Sequence, residues 1–315
     1  MKYLHTLIQG LIMGISESVP GINTSTIAMI LGIYDKFFNF LHGVTNIIKA
    51  ALQLFTKKIS IKELKKELSK VDIKFGLLIF LGIIISIASI SHIIGLLLNT
   101  IPQYIYALFF GIILGAISIP WNNMRTKGLK EIFVLLTTFI LFFIILGLKP
   151  ITMQENPTLL LLFLGGALSI STMGIPAVNT SFILLILGLY EYIFSVIKNF
   201  TKLQISSNDL INITVFCLGL FVGFVLFIRL TKYLLDKFHS IMMAFIMGIM
   251  IASLRLLWPF VDPNTGENFR EMQKVLPWNS DIEKLVLTFI IIIVTAILTS
   301  FLTSRTKKHK HSTTP

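Results

Sequence analysis

The same polar interruption occurs twice in this chain, each time between two apolar runs. Residues 20–35 read PGINTSTIAMILGIYD and residues 176–191 read PAVNTSFILLILGLYE. At an offset of 156, nine of the sixteen positions are identical: Pro20/Pro176, Asn23/Asn179, Thr24/Thr180, Ser25/Ser181, Ile27/Ile183, Ile30/Ile186, Leu31/Leu187, Gly32/Gly188 and Tyr34/Tyr190. Asp35/Glu191 is a near-equivalent pair. In hydrocarbon every unsatisfied backbone group is costly, so a broken helix survives only where protein or a water-filled cavity surrounds it. A broken polar segment in corresponding positions of two halves marks the binding site of many secondary transporters. Transport is therefore the leading function class.

Composition agrees. Hydrophobic residues make up 55% of the 315 residues and charged ones 13%, with a mean hydropathy of +0.85. A soluble domain carries about 25% charged residues. The expected fold class is an all-α, polytopic membrane protein forming one bundle. The lone Cys217 excludes an internal disulfide and a cysteine-ligated metal site. The opening MKYLHTLIQGLIMGISESVPG has no small-residue cleavage site and reads as mature structure.

Apolar segments fall near 3–19, 23–42, 74–98, 102–120, 130–148, 158–174, 178–198, 211–235, 239–258 and 284–303. Each approaches the ~20 residues that a membrane-crossing helix needs. The first and sixth are short and interrupted, as re-entrant segments that turn back would be. Lys and Arg cluster at 45–73, 121–130 and 229–239 and in the tail (Arg305, Lys307, Lys308, Lys310). All four clusters share one side if the segments alternate, so both termini are expected in the cytoplasm of a multi-pass cell-membrane protein. The net charge of +12 is then a topology signal, and nucleic acid is not an expected partner.

Similarity between the halves continues at an offset of 137: Asp72/Asp209, Leu81-Gly82/Leu218-Gly219, Leu97-Leu98/Leu234-Leu235, Ala107/Ala244, Gly111-Ile112/Gly248-Ile249 and Trp121/Trp258. The expected organisation is a first repeat over 1–121, a linking transmembrane helix within 122–156 and a second repeat over 157–259. An extracellular loop, a last transmembrane helix and a basic tail then occupy 260–315. One intervening crossing inverts the second repeat relative to the first, giving paired re-entrant hairpins.

The Asn-Thr-Ser triplets begin helices, where such residues cap exposed N–H groups, and a helix N-terminus favours an anion. Asn23, Thr24, Ser25, Asn179, Thr180 and Ser181 are therefore candidate substrate-binding residues, with plain capping and interhelical hydrogen bonding as the alternative. Ionisable residues inside apolar segments are costly and default to functional candidates. They are Glu17, Arg229 and Arg255. Arg255 lies about one turn before Trp258 and Pro259, and its counterpart Ser118 shows that the repeat itself does not demand a charge. Arg229 is a second candidate, although its side chain can also snorkel to the cytoplasmic surface. Glu17 directly precedes the first hairpin tip. It is a candidate for coupling transport to protons, for pairing with an arginine, or for capping backbone donors. His92 aligns with Arg229 and reads as an interhelical hydrogen-bonding residue. Tyr34 and Tyr190 read as interfacial anchors. The basic 57–70 stretch has an amphipathic pattern, suited either to anionic lipid or to a solvated loop. No phosphate loop, H-E-x-x-H zinc motif or G-x-S-x-G elbow occurs. Neither a metal nor a cofactor is expected.

The stretches GISESVPGINTSTIAMILGIYD, GIPAVNTSFILLILGLYE and GIMIASLRLLWP resemble the bacterial and archaeal PopT family, over nearly the whole chain. That resemblance implies a flippase returning undecaprenyl phosphate, a polyprenyl-phosphate lipid carrier, from the outer to the inner leaflet for cell-wall synthesis. It also implies paired re-entrant hairpins like those of DedA flippases. Asn23-Thr24-Ser25 depart from a glycine-rich form of the motif, which makes the tip bulkier. Two other classes compete: a secondary transporter of a small soluble anion, and an intramembrane lipid-modifying enzyme. Membrane lipids are expected partners in either case, and assembly into a homo-oligomer is left open.

Overall fold

The computed structural model describes residues 2–17, 23–56, 60–147, 156–174, 180–201, 206–261 and 282–311. Every regular element among them is helical. In chain order these are α1 (Lys2–Glu17), α2 (Thr24–Ile30), α3 (Tyr34–Phe55), α4 (Ile61–Ser69), α5 (Ile73–Thr100), α6 (Pro102–Ala116) and α7 (Ser118–Asn123). They continue as α8 (Leu129–Ile145), α9 (Leu159–Ser171), α10 (Thr180–Ile186), α11 (Tyr190–Thr201), α12 (Ser207–Lys237), α13 (His239–Ser253) and α14 (Ile282–His311). A short 3₁₀ turn, Thr172–Gly174, extends α9. Pro102–Asn123, Asn208–Lys237 and Ile282–Thr303 have the length and apolar character to cross a membrane, and Ile73–Ile87, Leu159–Ser171 and His239–Ser253 are shorter apolar helices.

The second and seventh apolar segments are each split by a glycine. α2 ends at Ile30 and α10 at Ile186, and the chain then turns through Gly32 (φ 69°) and Gly188 (φ 68°) before a new helix starts at Tyr34 or Tyr190. Only glycine takes that left-handed backbone at low cost. At seven residues, α2 and α10 are each about 10 Å long, well short of the ~30 Å hydrocarbon layer. α3 runs on to Phe55, past the expected segment end at 42, because Phe37, Phe38, Leu41 and Thr45 keep a buried face at helical spacing while polar residues fill the other. Tyr34 is buried, contrary to the interfacial reading, whereas Tyr190 is exposed and stacks on Phe194. α4 takes up most of the basic stretch; its N-terminus is capped reciprocally by Ser60 and Glu63, and none of its residues is buried.

The chain packs into two units. One comprises 1–34, 77–147 and 239–315; the other comprises 35–76 and 148–238. In the first, α1 crosses α5 closely. A Cβ at Gly82 would stand 2.6 Å from the Leu7 carbonyl oxygen, and one at Gly14 would stand 2.7 Å from that of Ile83. Contacts advance together along both helices, so the pair runs parallel. α14 packs on α6 through Gly111 and Gly115, and α13 packs on α8 through Gly248. In the second unit α9 crosses α12, again in parallel: Gly219 meets the carbonyl of Phe163, Gly166 meets that of Phe216, and Gly223 meets Ala167. Small residues allow backbones this close in lipid, where packing replaces the hydrophobic drive. The two crossings use equivalent positions, since Gly10 and Gly82 stand where Gly166 and Gly219 do. Likewise α6 and α13 begin at Pro102 and His239 and end at Ala116 and Ser253, both 137 apart.

Gly82→Val and Gly219→Val are each expected to lower the melting temperature in detergent, by an overpacking cost of about 1–3 kcal/mol. The exposed neighbour change Leu218→Val is expected to leave it within error. Equal melting of all three variants would show that the crossings are not tight.

Candidate functional site

The first hairpin tip is held together by its own side chains. Asn23 caps α2, its Oδ1 accepting from the Thr26 N–H at 3.1 Å and from Thr26 Oγ1 at 3.0 Å. Glu17, the last residue of α1, receives the Thr24 N–H at 2.9 Å on Oε1, and the Thr24 hydroxyl donates to the same oxygen. A carboxylate thus sits against the positive end of α2 and satisfies donors that a bilayer cannot. Asn23, Thr24, Ser25 and Thr26 are all buried. Of the readings open for Glu17, the geometry shows the capping one: a structural role at the turn.

In the second copy the threonine that opens α10 meets no acid among the described residues. Met173 occupies the position equivalent to Glu17. The Thr180 hydroxyl instead lies 3.0 Å from that of Thr172 and donates to the Ser169 carbonyl at 3.3 Å. The Ser16→Met13 carbonyl bond of α1 recurs as Thr172→Ser169, at 2.6 and 2.7 Å. Ser181 lies in the first turn of α10. Asn179, Pro20 and Pro176, together with the side chains of Ser181 and His92, fall outside the described residues. Two hydroxyls, Ser86 Oγ and Ser169 Oγ, are buried with no protein hydrogen-bond partner. Ser86 abuts Gly14 in the first unit, and Ser169 belongs to α9 in the second. Such groups mark places where water or a polar ligand atom completes the bonding.

Arg255 stands in the turn that follows α13. Its Nη1 donates to the Phe143 carbonyl at 2.9 Å, and the guanidinium lies over the Phe143 ring, 4.5 Å from its centre. Any side chain on Gly147 would collide with the guanidinium, so that glycine leaves its slot open. The charge therefore rests on the C-terminal turn of α8, where the helix dipole favours a cation. No acidic partner meets it among the described residues, and most of its five-donor fork is not used by the Phe143 bond. Three residues on, Trp258 packs edge-on against Phe110 and Phe260, with centroids 5.8 and 5.7 Å away. Arg255 is thus a cation fixed by one carbonyl and one aromatic face.

Arg229 occupies a different setting, in the second unit. A groove of about 370 Å³ runs between α3 and α12. α3 supplies Thr45, Ile48, Lys49, Leu52, Gln53 and Thr56, and α12 supplies the apolar residues from Phe221 to Leu226 together with Arg229. The walls open outward, with Leu52, Phe221 and Leu226 exposed by 56%, 45% and 64%. His42, one turn before the groove, is within electrostatic reach of Arg229, Lys232 and Asp236. Lys232 is already paired with Asp236, but neither Arg229 nor Lys49 has an acidic partner among the described residues. Sequence reasoning found Arg229 and missed Lys49, which it counted as a loop charge. The signal was present: Thr45, Lys49, Gln53 and Thr56 recur at spacings of four, four and three, a polar stripe on one helix face.

Removing the Glu17 carboxylate leaves the buried Thr24 N–H without its acceptor. Glu17→Ala is expected to destabilise the protein by about 1.5–3 kcal/mol, as for a lost hydrogen bond to a charged group, and Glu17→Gln by less because its amide oxygen still accepts. Exposed Glu191→Ala is the control, and thermal unfolding of the purified protein is the measurement. Unchanged unfolding of Glu17→Ala would remove the carboxylate from the tip's support.

A family model described as undecaprenyl phosphate translocase-like matches residues 13–275. A curated relative from Vibrio cholerae, named polyprenyl-phosphate transporter, is 30% identical over 260 residues, covering 82% of this chain and 79% of its own. Another polyprenyl-phosphate transporter, from Staphylococcus aureus, is 22% identical over 271 residues, covering 82% of this chain and 87% of its own. No solved structure gives a significant match. With most of its length matched, from α1 past the aromatic cluster that follows Arg255, this chain belongs to the undecaprenyl phosphate translocase-like family.

Proposed function

We propose that this protein returns undecaprenyl phosphate from the outer to the inner leaflet of the cell membrane for reuse in envelope synthesis. The observation that carries the reading is Arg255: a cation without an acidic partner among the described residues, fixed against the Phe143 carbonyl and ring in a helical membrane protein. A phosphate on a long isoprenoid tail needs fixed cations and donors for its head while the tail stays in lipid. Arg255 takes the head near the outer surface, because a guanidinium binds phosphate through two parallel hydrogen bonds. The hairpin residues Asn23, Thr24, Ser25, Asn179, Thr180 and Ser181 line its path, and Arg229 receives it towards the cytoplasm. Proton coupling is assigned to Glu17 in addition to its hold on the Thr24 N–H and hydroxyl.

The architecture in this proposal has two inverted repeats, 1–121 and 157–259, linked by the helix within 122–156 and closed by 260–315, with about ten apolar segments and both termini cytoplasmic. Its support is the recurrence of the α1/α5 crossing in α9/α12 and the paired left-handed glycines after α2 and α10. Parallel α1 and α5, with the short α2 packed against α1, suit a segment that enters the membrane and turns back. A transporter of a small soluble anion would instead need an enclosed polar cavity. The outward-opening apolar walls beside Arg229 favour a lipid substrate.

In cells depleted of other carriers, Arg255→Ala at equal expression is expected to leave undecaprenyl phosphate in the outer leaflet, as deletion does, while Lys308→Ala is expected to transport normally. Arg255→Lys is expected to recover only part of the rate, since an ammonium lacks the planar fork. Normal clearance by Arg255→Ala would remove it from the substrate path. Transport by Glu17→Gln is expected to lose its dependence on an imposed pH gradient; retention of that dependence would exclude Glu17 from coupling.

A further inference from the structure

We propose that the groove between α3 and α12 is a binding site for a phosphomonoester lipid, with Lys49 and Arg229 together recognising the dianionic head. This deepens the transport reading and rests on it for the identity of the lipid. Three observations meet in the groove. First, two cations line one space, and neither has an acidic partner among the described residues. In the same unit Lys36 is paired with Asp72 at 3.2 Å and Lys232 with Asp236 at 2.7 Å, while the lysines of α4 stand on a helix with no buried residue. Second, the polar stripe of α3 places Gln53 on the face that carries Lys49, adding a neutral amide donor. Third, the remaining wall is apolar and open to the outside, with Leu52 and Leu226 more than half exposed.

A soluble anion needs the first two features and gains nothing from the third. A neutral lipid would use only the third. A lipid with a terminal phosphate uses all of them, its head between the cations and the first part of its chain along Leu52 and Leu226. Charge decides among phospholipids. A phosphodiester head carries one negative charge on its phosphate, whereas a monoester carries about −1.5 to −2 near neutral pH, with a second pKa of about 6. Two unneutralised cations match the monoester. The diester leaves one of them uncompensated in a low-dielectric setting, which is costly.

The test uses the purified full chain in maltoside micelles and measures binding of farnesyl phosphate by calorimetry at pH 8. Farnesyl phosphate methyl ester, farnesol and inorganic phosphate are the comparison probes. Farnesyl phosphate is expected to bind at least ~10-fold more tightly than its methyl ester, about 1.4 kcal/mol, and to lose that advantage at pH 5. Lys49→Gln and Arg229→Gln are each expected to weaken it by ~10-fold or more and to erase the discrimination against the ester. Lys62→Gln on exposed α4 is expected to change nothing. Lys49→Arg keeps the charge and is expected to retain binding, which separates recognition from a folding defect. Equal affinity for ester and monoester, equal binding of farnesol or of inorganic phosphate, or unchanged binding by both Gln variants would overturn the proposal. If the groove fails these tests while cells still clear outer-leaflet undecaprenyl phosphate through this protein, the transport reading stands and only the groove is wrong. If the groove binds as expected and clearance does not depend on the protein, the transport reading falls and the site remains.

Discussion

A helix that begins away from water leaves backbone N–H groups that apolar surroundings cannot satisfy, and the buried start of α2 answers this constraint. At the first tip the answer is a carboxylate: Glu17 takes the N–H and hydroxyl of Thr24, while Asn23 takes those of Thr26. At the second, Thr180 turns to Thr172 and to the Ser169 carbonyl. The two copies thus share an Asn-Thr-Ser frame but differ in what the Thr meets, a carboxylate in the first and a hydroxyl and a carbonyl in the second. Most of the polarity that drew attention to these tips is spent on holding them together.

The close helix crossings follow from the same constraint. With the tip tied to its own helix, α1 and α9 need firm support along their length. α5 and α12 supply it through backbones brought together at glycines. The hydroxyls of Ser86 on α5 and Ser169 on α9 are buried and without a hydrogen-bond partner among the described residues. The free cations lie elsewhere: Arg255 on the end of α8, and Arg229 with Lys49 at an open groove. None of these three cations takes part in the hydrogen bonds that hold the first tip together.

On the proposed function, a phosphate-headed lipid poses opposite demands at its two ends, and the two cationic settings are suited to them differently. Arg255 is held by a carbonyl and an aromatic face, so its orientation is preset. Arg229 and Lys49 stand over exposed apolar side chains, where a tail can lie without leaving the bilayer.

The sequence by itself determined the helical membrane class, the duplication, the polar tips and the candidate arginines. These are properties of local composition and of periodic or repeated pattern, and they survive without knowing what touches what. The left-handed turns at Gly32 and Gly188 came from the structure, since the sequence reads 23–42 and 178–198 as unbroken segments. Tertiary structure decided what each polar group does. Nothing near Glu17 in sequence shows that its oxygen meets Thr24, and nothing near Arg255 shows that Phe143 and Gly147, more than a hundred positions earlier, build its slot. Tyr34 reads as an interfacial residue until packing buries it. Lys49 reads as a loop charge until α3 extends beneath it and α12 brings Arg229 to the same groove. The physical reason is common to all four. A side chain's partner in a folded bundle is set by which helices lie side by side, and that depends on the fit of whole surfaces more than on the residues adjacent in the chain.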